Sequence, residues 1–100
     1  MPAFVALLLI HLHFPDAGSL KAKRKDLASL KAQLHGRLGV TVSEVEHHDL
    51  WQRATLAAAV TGGSATAVDE AADRVERFLD ARVPDNYRLE RVTASFDEVL

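Results

Sequence analysis

The order of hydrophobic periodicities is the feature that most limits what this chain can fold into. Two stretches, residues 19–38 and 64–82, repeat apolar side chains every three or four positions, as amphipathic helices do. Stretches with the alternating or continuous apolar pattern of strands precede the first helix, lie between the helices as a closely joined pair, and follow the second helix. The chain therefore predicts the element order βαββαβ.

This order predicts one topology. A right-handed crossover through the first helix places the second strand parallel to the first. The short connection after the second strand makes a hairpin, so that the third strand inserts between the first two. The predicted fold class is α+β, a ferredoxin-like βαββαβ sandwich with a four-stranded antiparallel sheet and two helices on one face. We expect residues 1–100 to form a single domain, since the chain has the length of one and shows no linker.

Capping residues set the predicted helix ends. Ser19 is a suitable N-cap for the first helix, and Gly39 ends it as a C-terminal glycine does. Either Ser64 or Thr66 caps the second helix, and Thr66 with Asp69 resembles a capping box. The predicted strands cover residues 4–13, 40–46, 51–61 and 87–96.

Composition excludes several classes of protein. The chain contains no cysteine, which rules out a disulfide framework, a thiolate zinc site and a thiol nucleophile. The apolar run Ala3–Ile10 is far shorter than the roughly 20 residues that span a bilayer. It also lacks the preceding basic residue and the following cleavage site of a signal peptide. We therefore interpret it as a buried strand and expect a cytoplasmic protein that does not contact a membrane.

Charge is distributed unevenly along the chain. Residues 19–38 carry six basic residues against Asp26, a net charge of +5, whereas the whole chain carries −2 and the remainder therefore −7. The start of a helix favours anions, and basic residues placed there oppose the helix dipole. The segment is a candidate site for phosphate groups of RNA or for a small anion, although a solvated helix face has the same pattern. The candidate residues are Ser19, Lys21, Lys23, Arg24 and Lys25.

The predicted topology brings several unusual residues to one edge of the domain. The first strand and the second strand both end there, and the first helix and the third strand both begin there. We expect an interaction edge that contains His47, His48, Asp49, Trp51 and Arg53. Trp51 has two interpretations, a partner hot spot or a large side chain that closes one end of the core, and the second is the commoner.

Neither a metal centre nor a catalytic site is predicted. His11 and His13 share one face of the first strand, but the third strand separates them from His47 and His48 by roughly 10 Å. The sequence contains no nucleophile elbow, phosphate-binding loop or dinucleotide fingerprint. We therefore expect a non-enzymatic protein that uses no metal and no cofactor.

The sheet face that points away from the helices is predicted to be partly apolar. Its apolar residues are Val5, Leu7, Leu9, Ala57 and Ala59. Exposing such an apolar face to water is unfavourable. The simplest way to bury it is contact with a second copy of the chain, which predicts a homodimer. No aromatic residue lies in the middle of these strands on that face, so base stacking of the RNA-recognition-motif type is disfavoured.

Three segments resemble the YlxP-like family of small bacterial proteins of unknown function. They are FVALLLIHLHFP (residues 4–15), SLKAKR (residues 19–24) and VSEVEHHDLWQRA (residues 42–54). The resemblance implies a ferredoxin-like fold, and it implies a link to translation because genes of the family often lie beside those for a translation initiation factor and a ribosome-binding factor. The family supplies no catalytic residues. Leu9 departs from its usual pattern, which has a polar residue there, and makes the outer face more apolar.

These observations leave three functional hypotheses. The first is a binding module that acts on RNA or the ribosome through the basic first helix. The second is a homodimeric structural or protein-interaction module. The third is a regulatory domain that binds a small anion at the start of the first helix.

Overall fold

The computed structural model describes residues 2–99, and its elements follow the predicted order along the chain. The strands are β1 (Phe4–His13), β2 (Thr41–Glu46), β3 (Arg53–Gly62) and β4 (Tyr87–Ser95). The helices are α1 (Leu20–Leu38), α2 (Ala65–Arg82) and the short α3 (Phe96–Val99). Within residues 2–99, no helix combines the length and the apolar character needed to cross a membrane.

The four strands form one sheet in the order β2-β3-β1-β4. Every neighbouring pair is antiparallel, so that β1 and β2 run parallel to each other on either side of β3. This is the arrangement that the split crossover predicts. The α+β, ferredoxin-like prediction is therefore confirmed.

Both long helices cover the same face of the sheet. Side chains alternate between the two faces of a strand, and the buried set of β1 is Ala6, Leu8, Ile10 and Leu12. Helix α2 packs over the central strands and β4, whereas α1 packs over β2 and against α2. The opposite face, called the outer face below, receives no helix within residues 2–99.

The predicted caps are found at both ends of α1. The Ser19 hydroxyl accepts a hydrogen bond from the Ala22 amide at 3.1 Å, and Gly39 adopts the left-handed conformation with φ 68°. Helix α2 is capped by Ser64 rather than Thr66. Asp69 is not part of a capping box with Thr66, since its carboxylate accepts from the Thr93 hydroxyl at 2.6 Å and joins α2 to β4.

The last strand ends one residue earlier than predicted, because Phe96 begins α3. Ser95 and Glu98 form a reciprocal pair at its start. The Ser95 amide donates to the Glu98 carboxylate at 3.0 Å, and the Glu98 amide donates to the Ser95 hydroxyl at 3.3 Å. A Ser-x-x-Glu sequence is the signature of a capping box, so this short helix had a sequence signal that the strand prediction passed over.

Candidate functional site

Lys23 points into the protein and is only 1% exposed. Its position explains this burial, because Leu20, Lys23 and Leu27 follow the spacing of one helix face. That face of α1 packs towards β2. The prediction that Lys23 lies with the other cations on the solvent-facing side of α1 is therefore wrong.

The Lys23 ammonium group has three oxygen neighbours. Its Nζ donates to the His47 carbonyl at 2.6 Å, and it lies 3.5 Å from the His48 carbonyl and 3.3 Å from Glu44 Oε2. Glu44 pairs in register with the buried Leu56, so its side chain faces the helix layer rather than water. A carboxylate in this position requires a cation, and Lys23 supplies it.

The connection between β2 and β3, residues 47–52, is held against the start of α1. This segment is called the β2–β3 loop below. Lys23 holds its first half through the two histidine carbonyls. Gln52 holds its second half. The Gln52 side-chain amide donates to the Pro15 carbonyl at 3.2 Å, and the Gln52 backbone carbonyl accepts from the Phe14 amide at 2.8 Å. The loop and the first turns of α1 therefore form one continuous edge, as the topology predicted.

Trp51 lies on the surface of this edge with 54% of its area exposed. The interpretation in which Trp51 closes one end of the core is wrong, because Trp51 is exposed and is not among the residues that form the core or pack against it. The other predicted interaction residues of this edge are also exposed; they are His47, His48, Asp49 and Arg53. An exposed tryptophan in a fastened loop has the features of a contact residue.

Three cations in the first two turns of α1 remain exposed: Lys21, Arg24 and Lys25. None of them forms an ion pair within residues 2–99. The Ser19 hydroxyl is occupied by the helix cap. We call the three cations together with the β2–β3 loop the binding edge.

The outer face is apolar towards the end of the sheet that carries α3. The five residues predicted for this apolar patch lie on it, and Leu7 pairs with Ala59 on one side and Val92 on the other. Leu7 is 45% exposed and Val92 is 64% exposed. Val92 was not among the predicted residues, since the hydrophobic pattern of β4 is irregular and only the register places it beside Leu7.

The other half of the outer face is polar and internally hydrogen bonded. His11 Nε2 donates to Glu90 Oε2 at 2.7 Å, which leaves Nδ1 to accept from the Thr55 hydroxyl at 3.2 Å. The hydrogen bond from His11 lowers the pKa of Glu90, and the nearby Arg88 acts in the same direction. This network holds the His11 ring against the sheet.

A cavity of about 470 Å³ lies at this polar end. Residues of all four strands line it, together with the start of the β2–β3 loop and the connection between α2 and β4. The lining residues that carry charge or an imidazole are His11, His13, Glu46, His47, Arg53, Asp85 and Arg88. His47 therefore shares a cavity with the two β1 histidines, although no group of His, Asp or Glu side chains within residues 2–99 is placed to hold a metal ion.

Comparison with known proteins identifies the family. Residues 5–92 match the family whose description reads "Protein of unknown function (DUF503)". This chain belongs to the DUF503 family. It is 33% identical over 66 residues to the uncharacterized protein YlxP of Bacillus subtilis (strain 168), across 66% of this chain and 72% of that protein. The predicted resemblance to YlxP-like proteins is therefore confirmed.

The fold of this DUF503 protein also occurs in a designed protein. The de novo designed protein Foldit4 superposes with a TM-score of 0.58 at 10% identity, over 93% of this chain and 97% of the designed one. At this identity the likeness shows the fold alone. The fold can therefore be specified without any natural function, and function has to be argued from the surfaces of this chain.

Proposed function

We propose that this DUF503 protein is a non-enzymatic, cytoplasmic RNA-binding module that contacts ribosomal or other single-stranded RNA through the binding edge. The observation that carries the proposal is the buried Lys23, which fastens the loop bearing the exposed Trp51 to α1, the helix that also carries three exposed cations. Proteins that bind single-stranded nucleic acids combine aromatic side chains, on which bases stack, with cations that contact the backbone.

The two parts of the binding edge have different roles in this proposal. Lys21, Arg24 and Lys25 contact phosphate groups, which position a strand without reading its sequence. Trp51 stacks on a base, an interaction that every base can make. We therefore expect binding that depends strongly on salt and weakly on sequence.

Removing the three cations is expected to abolish most of the salt dependence of RNA binding. Each phosphate contact adds about 0.7 to the slope of log K against log salt for single strands, so the wild type should show a slope near −2. The Lys21→Ala/Arg24→Ala/Lys25→Ala variant should bind more weakly with a slope near zero. Fluorescence anisotropy with a labelled 12-nucleotide RNA, at salt concentrations from about 50 to 200 mM, measures both quantities.

A charge-matched control separates these positions from net charge. Arg37, Arg74 and Arg77 are exposed elsewhere on the two long helices, and replacing all three by alanine removes the same charge. Equal losses in the two triple variants would contradict the proposal. Co-sedimentation of the same variants with ribosomal subunits extends the test to ribosomal RNA.

The chain offers a direct spectroscopic test of stacking, because Trp51 is its single tryptophan. Intrinsic tryptophan fluorescence therefore reports on the binding edge alone. RNA is expected to quench it, and Trp51→Ala should weaken binding by roughly 5- to 150-fold, the equivalent of one stacked base. Unchanged fluorescence at saturating RNA would remove Trp51 from the interface.

A second function is favoured by the outer face, that of a homodimeric interaction module. Leu7 and Val92 are neighbours in register, both are largely exposed, and no element within residues 2–99 covers them. A second copy presents the same apolar surface, which is self-complementary about a two-fold axis. The binding edge would remain free in such a dimer, so the two functions are compatible.

Leu7→Asp is expected to convert this dimer to a monomer, because it buries a carboxylate without a partner in the interface. Light scattering after size-exclusion chromatography measures the mass of both proteins at the same micromolar concentration. Lys25→Asp, which places an aspartate on the helix side of the molecule, is the control and should leave the mass unchanged. A wild type that is already monomeric would contradict the dimer.

A further inference from the structure

The cavity at the polar end of the outer face is lined by two nitrogen-bearing side chains that have no partner within residues 2–99. Arg53 and His13 lie directly opposite each other on β3 and β1, and both line the cavity. Neither side chain forms a hydrogen bond or ion pair within residues 2–99. We propose that this cavity binds a ribonucleoside phosphate, with Arg53 and His13 contacting the phosphate group.

Arg53 is the residue best suited to this contact. A guanidinium group offers a planar fork of N–H donors that matches two phosphate oxygens. His13 faces the same cavity from the neighbouring strand and adds an imidazole donor. Because both residues project from paired strands, their positions are set by the sheet rather than by a loop.

The ionisable side chains of β1 and β4 on the other side of the cavity are already engaged with one another. His11 is held by Thr55 and Glu90, and the Glu90 carboxylate also lies 3.8 Å from Arg88. The Glu90 carboxylate is therefore engaged by His11 and Arg88 and does not compete with a ligand for Arg53. The phosphate position is therefore assigned to the Arg53 side of the cavity.

Two carboxylates of the lining extend the ligand beyond a bare phosphate. Glu46 is the last residue of β2 and Asp85 lies on the connection between α2 and β4, and neither is bonded to Arg53. Carboxylates accept hydrogen bonds from ribose hydroxyls in nucleotide sites. A cavity of about 470 Å³ is within the usual range for a small-molecule site. Cations and carboxylates in one cavity fit a ligand that carries both a phosphate and hydroxyl groups.

The site lies on a different surface from the cations of α1, so the inference goes beyond the proposed RNA function. The ribonucleoside phosphate is either a free nucleotide or one nucleotide of an RNA strand. The shared chemistry is a phosphate beside a ribose, and the two sources are separated by comparing a free nucleotide with an oligonucleotide.

The test is a two-dimensional amide NMR titration of the full chain with adenosine and uridine 5′-monophosphates, inorganic phosphate and a 12-nucleotide RNA. We expect the nucleotides or the RNA to shift the amide signals of His11, His13, Arg53 and Asn86. Arg53→Ala should weaken this binding by about tenfold or more. Arg74→Ala is the matched control, since it removes an exposed arginine of α2 outside the cavity, and it should leave the titration unchanged.

Each outcome decides the proposal. Cavity shifts caused by mononucleotides and lost in Arg53→Ala support a free nucleotide, whereas shifts caused by the RNA alone support a nucleotide of a strand. Equal shifts with inorganic phosphate, shifts that persist in Arg53→Ala, or no cavity shift with any probe would overturn it. The triple variant of Lys21, Arg24 and Lys25 should retain mononucleotide binding, so that failure at the binding edge is distinguishable from failure here.

Discussion

Lys23→Ala is expected to lower the free energy of unfolding by about 3 kcal/mol, which is the effect of removing one partner from a buried ion pair. The substitution leaves the Glu44 carboxylate facing the helix layer without its cation, and it removes the donor from the His47 carbonyl. Urea denaturation followed by circular dichroism measures the loss. Arg24→Ala is the control, because this neighbouring residue is exposed and unpaired within residues 2–99.

Two further variants identify the cause of this loss. Lys23→Met retains most of the aliphatic stem, so any stability that it recovers relative to alanine comes from packing. Combining Lys23→Met with Glu44→Gln removes the unpaired charge, and part of the remaining loss should disappear. A loss below about 1 kcal/mol for Lys23→Ala would show that the pair contributes little, as exposed ion pairs do.

The same variant connects stability to the proposed function. Lys23 contacts the β2–β3 loop but is too deeply buried to touch a ligand. Without this contact, the loop that carries Trp51 would no longer be fastened to α1. We therefore expect Lys23→Ala to weaken RNA binding even under conditions in which the variant is fully folded.

The fold was predictable because two different periodicities alternate along the chain. The sequence shows the buried faces of the two central strands, which carry Leu8 and Leu56, and the leucine stripe of α1. The caps at Ser19 and Gly39 mark the two ends of α1. These are local signals, and a split crossover is the only simple way to combine them. Helix and sheet patterns therefore led to the observed strand order.

The candidate site was predictable in location but less so in detail. The burial of Lys23 had a signal, since it occupies a position of the apolar stripe, but its charge suggested solvent. The exposure of Trp51 had none: the predicted strand began at Trp51, whereas β3 begins at Arg53 and Trp51 lies in the loop, where no periodicity separates inside from outside. The pairing of His13 with Arg53 depends on the register of β1 and β3. The hydrophobic pattern alone does not determine this register, because a shift of two residues keeps the same side chains on the buried face.

Leu8→Ala and Leu7→Ala form a matched pair that tests both faces of the sheet. The two leucines are neighbours in β1, yet Leu8 is 0% exposed and Leu7 is 45% exposed. Leu8→Ala leaves a cavity among buried side chains and should lower the free energy of unfolding by about 2–5 kcal/mol. Leu7→Ala in an isolated monomer should cost less than about 1 kcal/mol, since its side chain already contacts water.

Protein concentration separates the monomer from the dimer in the same experiment. If a second copy covers the apolar part of the outer face, wild-type stability increases with concentration, because association stabilises the folded state by mass action. Leu7→Ala would then reduce this concentration dependence, whereas Leu8→Ala would lower stability equally at every concentration. Thermal unfolding at two concentrations about a hundredfold apart therefore shows whether the apolar part of the outer face is exposed to water or buried in a dimer interface.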